Sequence, residues 1–319
     1  MRSTTAISSV FLLSASIAMA DATIQEKTQM HFGGPLGGVI NVFGRKATHE
    51  GVVSDVAIHN NRKLSRSGDS GEIVDLDEQR VYYLDFDRKT YKVVTFAELR
   101  RQYEEAKEKA KKQQSSADKS EKSQAPEYEV EFSIKPTGNK EAINGWNTRE
   151  EIATVTVHEK GKTLEDAGGF VLTNDMWIGP RVAAMREMVD FELKFMQKVY
   201  GDSFMADMRQ AAAMFAATPA FAKAMKTFND KQKSLDGTPI RSKMTFETVA
   251  GKNAAPEQQQ PSSPTAALGG LLGRMKQRRQ SDQAGPERST MLDSNHELLK
   301  ASTTASAADV AMPAGFREK

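Results

Sequence analysis

The sequence predicts an α+β fold, an antiparallel meander sheet with a block of helices over one side. Three observations carry this. The stretch Gly71–Thr95, GEIVDLDEQRVYYLDFDRKTYKVVT, holds three short runs rich in Val, Ile, Tyr and Thr (Glu72–Leu76, Arg80–Asp85, Thr90–Val94). Their connections are polar and too short for a parallel crossover, so the runs form an antiparallel meander. Further strand patterns recur on both sides of it. Between them, Val182, Met185, Val189, Leu193, Met196 and Tyr200 step by three and four, the period of a helix.

The chain has 319 residues. Its first twenty read as a signal peptide: Arg2, an apolar run Ala6–Ala20, and the A-x-A cleavage signal Ala18-Met19-Ala20. The mature chain is therefore expected to begin at Asp21, in the periplasm, as one domain over 21–319. No later run is long enough to span a bilayer. With no cysteine, stability must come from a core. Forty-four Lys and Arg against forty-two Asp and Glu leave a net charge of +2, which argues against a nucleic-acid partner.

Thr23–His31 reads as a first strand. Phe32–Lys46, FGGPLGGVINVFGRK, sets Leu36, Ile40 and Phe43 among glycines. It is either a loop folded on the core or an apolar flap touching a ligand or membrane surface. It lacks the GxxxxGK[ST] phosphate loop. Gly51–His59 and Arg62–Ser67 make a hairpin turned at Asn60-Asn61.

Gly68-Asp69-Ser70-Gly71 matches the nucleophile tetrapeptide of chymotrypsin-like proteases, and His31, His49 and His59 precede it. The surrounding contexts of that family are missing, and Gly-Asp-Ser-Gly is what a hairpin turn selects. The carboxylates Asp75, Asp77, Glu78, Asp85 and Asp87 fail at the third ligand position of a calcium loop. No catalytic residue, metal site or cofactor motif emerges.

Thr95 and Glu98 form a capping box that opens a helix with the apolar stripe Phe96, Leu99, Tyr103 and Ala106. Lys111–Pro126 reads as a disordered, mixed-charge linker. Strands resume at Tyr128–Ile134. Pro136–Asn139 is expected to turn the chain, and Asn144-Gly145 is a bulge or a tight turn. Lys160-Gly161-Lys162 turns into the strand Gly168–Ile178. Pro180 is expected at the first position of a helix ended by Gly201. Asp202 caps a second helix and Thr218-Pro219 opens a third. Methionines gather here, including Met185, Met188, Met196 and Met225. They are ordinary helical core, or an adaptable lining for variable apolar ligands. Pro239–Ala250 and Arg288–Ser302 are expected to pair as antiparallel neighbours around a disordered excursion, Gly251–Pro286. VAMPAGF, Val310–Phe316, is a tail whose Met312 and Phe316 dock on the body.

The signal peptide, the meander EIVDLDEQRVYYLDFDRKTYKV, a Gly-Trp strand, the WIGP passage, helices, the Gly-Thr-Pro strand and a terminal MPAGF resemble an uncharacterised family of exported bacterial proteins. That family is similar to the lipoprotein-carrier (LolA/LolB-like) superfamily. The resemblance covers roughly 23–103, 128–250 and 288–316. It implies an open antiparallel half-barrel with helices over its mouth. The function it implies is that of a non-enzymatic periplasmic carrier of a lipid or other apolar ligand. The expected lining is Leu36, Ile40, Phe43, Met185, Met188, Met196 and Met225. The alternative is an envelope structural or protein-interaction protein with a filled core, its partner another envelope protein.

Overall fold

The computed structural model describes residues 21–33, 51–117, 127–216, 226–227, 230, 235–252 and 288–319; side chains at 110–117 and at most positions of 202–216 are not described. Its strands form one twelve-stranded sheet in the order β12-β6-β5-β4-β3-β2-β1-β11-β10-β9-β8-β7. Two meanders meet at the seam between β1 (Asp21–Phe32) and β11 (Arg288–Ser302), which pair antiparallel. The first runs outward through β2 (Val52–His59), β3 (Arg62–Ser67), β4 (Ser70–Asp75), β5 (Arg80–Asp85) and β6 (Thr90–Thr95). The second returns through β7 (Tyr128–Ile143), β8 (Trp146–Glu159), β9 (Gly168–Gly179) and β10 (Thr238–Ala250). Among the described strands only β12 (Arg317–Glu318) is parallel, beside β6. The sheet is open, and β10 and β11 pair directly, as their sequence patterns require.

Among the described residues the helices with both ends defined are α1 (Phe96–Ala117), α2 (Leu164–Ala167) and α3 (Ala183–Ala216). Helix α1 starts where expected, with the Glu98 N–H donating to Thr95 Oγ1 at 3.2 Å. It runs on past Lys111 to Ala117, because Lys, Gln and Ala sustain a helix even with nothing to bury. Helix α3 breaks at Gly201, whose φ of 64° and ψ of −162° are not helical. The break frees carbonyls at the end of the preceding segment. Arg100 of α1 takes two of them, its Nε donating to Val199 O at 2.7 Å and its Nη2 to Lys198 O at 3.0 Å.

The first segment of α3 lies on one face of the sheet. Ala184, Phe191 and Val199 bury against Ala22, Ile24, Val56, Ile58, Val74, Leu76, Val81, Ile240 and Leu298. Phe96 packs edge-on to Phe195 with centroids 5.3 Å apart. Lys63 reaches from β3 to Glu192 on α3. On the opposite face of the first meander, the carboxy-terminal tail docks. Val310 is buried, and Phe316 packs edge-on to Phe86.

Two further expectations change. Helix α3 begins at Ala183, not at Pro180, because the chain there is held to the start of β10: the Val182 N–H donates to Thr238 Oγ1 at 2.9 Å, and Arg181 pairs with Asp236. Pro136–Asn139 is not a turn. Strand β7 continues through it as a bulge, with Pro136 opposite Glu151 and Lys140 opposite Arg149. The return is at Asn144-Gly145, where φ values of 51° and 88° make a tight two-residue hairpin. An edge strand tolerates Pro136 because its missing N–H need not serve a neighbour.

Candidate functional site

Side chains alternate along a strand, so residues directly opposite one another share a face. In the second meander this alternation places an apolar row across six strands. Phe32 of β1 is opposite Leu292 of β11, which is opposite Phe246 of β10. Phe246 is opposite Leu172 of β9, then Val155 of β8, then Phe132 of β7. All six are half-buried. Phe170, Val157 and Val130 extend the row on one side; Met30, Met244, Ala153 and Ile134 extend it on the other. Phe170 stacks on Phe246, as two residues on one face must if they touch. Along β1 the same parity leads back to Ile24 and Ala22, so this is the face that α3 covers further along the strands.

Between the apolar row and the core under α3 lies a polar strip. Thr28, His296, Ser242, Met176 and Glu151 stand in register across it. His296 Nε2 is 3.0 Å from Glu26 Oε2, and Ser242 Oγ donates to Asn174 Oδ1 at 2.9 Å. The Glu151 side chain is 4% exposed, with Oε1 3.8 Å from Arg149 Nε. Its other oxygen, Oε2, is buried without a hydrogen-bond partner among the described residues. Burial pushes the Glu151 carboxyl above its ordinary range, and Arg149 only partly offsets this.

The reverse face of the same strands is polar. Lys27, Glu297, Arg241, Trp177 and Glu150 stand in register there. Arg241 lies over Trp177 at 4.9 Å and pairs with Glu141 at 2.9 Å. A cavity of about 440 Å³ opens among Lys27, Trp177, Arg241, Lys243 and Asp175. Burial and the neighbouring Glu150 push the Asp175 carboxyl up. One meander is thus apolar on one face and charged on the other, the pattern of a sheet whose apolar face looks inward.

Of the expected lining residues, Met185 and Met188 pack against the core beneath α3. Met196 is half-buried on the same helix. Leu36, Ile40, Phe43 and Met225 lie outside the described residues, as do residues 1–20, expected to be a signal peptide, most of the expected third helix, and the greater parts of the expected disordered segments 111–126 and 251–286. The structure brings together a different set, Phe170, Leu172, Phe246 and Leu292, whose signal was the period-two alternation within β9, β10 and β11. Ser70 sits exposed at the β3–β4 hairpin opposite Ser67. Gly71 beside it lies beneath Phe86, where an added Cβ would be 2.7 Å from the ring. His59 is 2.7 Å from Asp21. Asp75 is a turn cap, accepting the N–H groups of Asp77 and Glu78 and pairing with Arg62.

No described helix is long and apolar enough to cross a membrane. No family model matches the chain, and no match was found among curated proteins.

Proposed function

We propose that the protein is a non-enzymatic periplasmic carrier or sensor that binds an acyl chain or a similar apolar group on the apolar face of its second meander. In this reading the open sheet works as a half-barrel and α3 closes one end of it. The observation that supports it is the row Phe32–Leu292–Phe246–Leu172–Val155–Phe132, apolar at every one of six consecutive strands and half-buried throughout. A sheet face this apolar is filled by packing or by a ligand. The resemblance to lipoprotein carriers points the same way and is an analogy of fold. The test is native mass spectrometry with lipid extraction on protein purified from the periplasm, alongside titration with a fluorescent fatty-acid probe. A bound apolar mass and saturable probe uptake are expected; an empty protein that takes up no probe sinks the reading.

A second reading, an envelope interaction protein, is favoured by Val189 and Leu193. They stand one turn apart on α3 and are 52% and 56% exposed. Co-purification of a stoichiometric protein partner, lost on Leu193→Asp, would support it over the carrier reading.

A further inference from the structure

The polar strip says which apolar molecules fit. It is built on the same face as the apolar row, at the row's border with the core. It contains a carboxyl that is almost fully buried and has one oxygen with no partner among the described residues. A buried polar atom without a hydrogen bond is costly, and a ligand that supplies the bond recovers that cost.

From this geometry we infer that the ligand is a single-chain amphiphile with an uncharged, hydroxyl- or amide-bearing head, the head donating a hydrogen bond to Glu151 Oε2 and the tail lying over Ala153, Leu172 and Phe246. The inference rests on the proposed apolar-ligand reading. Charge excludes the alternatives in both directions. A carboxylate, sulfate or phosphate head would bring a second negative charge against Glu151, whose side chain is 4% exposed, and the repulsion there is poorly screened. The cation nearest to hand, Arg149, is already shared between Glu151 and the Asp236 carbonyl, to which its Nη2 donates at 2.6 Å. An ammonium head would find Glu151 already paired with that guanidinium, and would lose its own hydration with no free counter-charge to replace it. A hydroxyl or amide N–H carries no charge to strip of water. Asn174, on the adjacent strand β9 and hydrogen-bonded to Ser242, is the next polar group along the strip.

The experiment is displacement of a fluorescent acyl probe from the purified protein by four molecules with the same eighteen-carbon chain: monoolein, oleyl alcohol, oleate and oleylamine. Monoolein and oleyl alcohol should displace it at about tenfold lower concentration than oleate or oleylamine. Glu151→Gln, which keeps an acceptor and removes the acid, should retain monoolein binding and narrow the gap to oleate. Glu151→Leu should abolish the preference for a hydroxyl head while the tail still binds. Equal displacement by all four from the unaltered protein would overturn the inference and leave the carrier reading standing, as would a Glu151→Leu protein with an unchanged preference. A protein that binds neither the probe nor any of the four overturns the carrier reading itself, and this inference with it.

Discussion

Phe170 and Phe246 lie face to face on neighbouring strands, their ring centroids 5.7 Å apart and their planes within 9°. Both are only half-buried, so the pair holds large apolar area that the fold leaves partly open. Stacked aromatics are worth roughly 0.5–1.5 kcal/mol beyond their burial. Changing Phe246 to Ala should therefore cost modest stability, read from denaturant unfolding, while lowering acyl-probe affinity about tenfold or more. Loss of stability with unchanged probe affinity would place the ligand elsewhere.

The methionines of α3 should behave in the opposite way. Met185 and Met188 already touch the core, so Trp at either position overpacks it. A cost of about 1–3 kcal/mol each is expected, with probe uptake unaltered in the fraction that stays folded. A Met188→Trp protein that keeps its stability and loses the probe would return that residue to the ligand site.

Glu72 supplies a pH signature. Burial raises its carboxyl above the ordinary 4.5, and Glu192 adds to this, while Lys63 opposes it. A carboxyl raised in the folded state binds its proton more tightly there than in the unfolded chain. The stability it contributes is present in full below pH 4.5 and is lost as pH rises through the folded value. Glu72→Gln should accordingly stabilise the protein at neutral pH and lose that advantage in acid. Thermal melts at pH 4 and pH 7 check this; an equal shift at both would refute it.

Gly71 and Ser70 separate turn from nucleophile. Ser70→Ala should change stability by less than about 0.5 kcal/mol, as exposed turn positions do. Gly71→Ala puts a methyl 2.7 Å from the Phe86 ring and 2.9 Å from Ser65 O. The ring must move, and Arg66, 4.0 Å above it, and Phe316 beside it lose their contacts. A clear drop in melting temperature for Gly71→Ala alone is the expected result.

Much of the sheet could be read from local pattern. The hairpin at Asn60-Asn61, the meander after Ser70 and the pairing of β10 with β11 all follow from alternation bounded by turn residues. What failed depended on partners distant in sequence. Pro136–Asn139 has turn composition, yet Glu150 holds it as a bulge through the Asn139 side chain at 2.7 Å. Pro180 suits a helix start, yet Thr238 and Asp236 hold the next two residues. Thr163-Leu164-Glu165-Asp166 carried a readable cap signal for the short helix α2, with the Asp166 N–H on Thr163 Oγ1. For the site, methionine content drew attention to α3. The more telling signal was that apolar positions on six separate strands fall in one register, and register appears only once the strands are aligned.

The seam between β1 and β11 joins residues as far apart as Glu26 and His296, 270 positions along the chain. Every other antiparallel neighbour in the sheet is also a neighbour in strand order. Each meander can therefore assemble from nearby contacts as the chain emerges, and the closing of the seam waits for the last long strand. Such a distant pairing carries the largest loop-closure entropy in the sheet and is expected to form last. A chain that ends before residue 288 lacks β11 and leaves β1 and β10 each with an unpaired edge that the complete sheet pairs, in addition to the edges at β12 and β7.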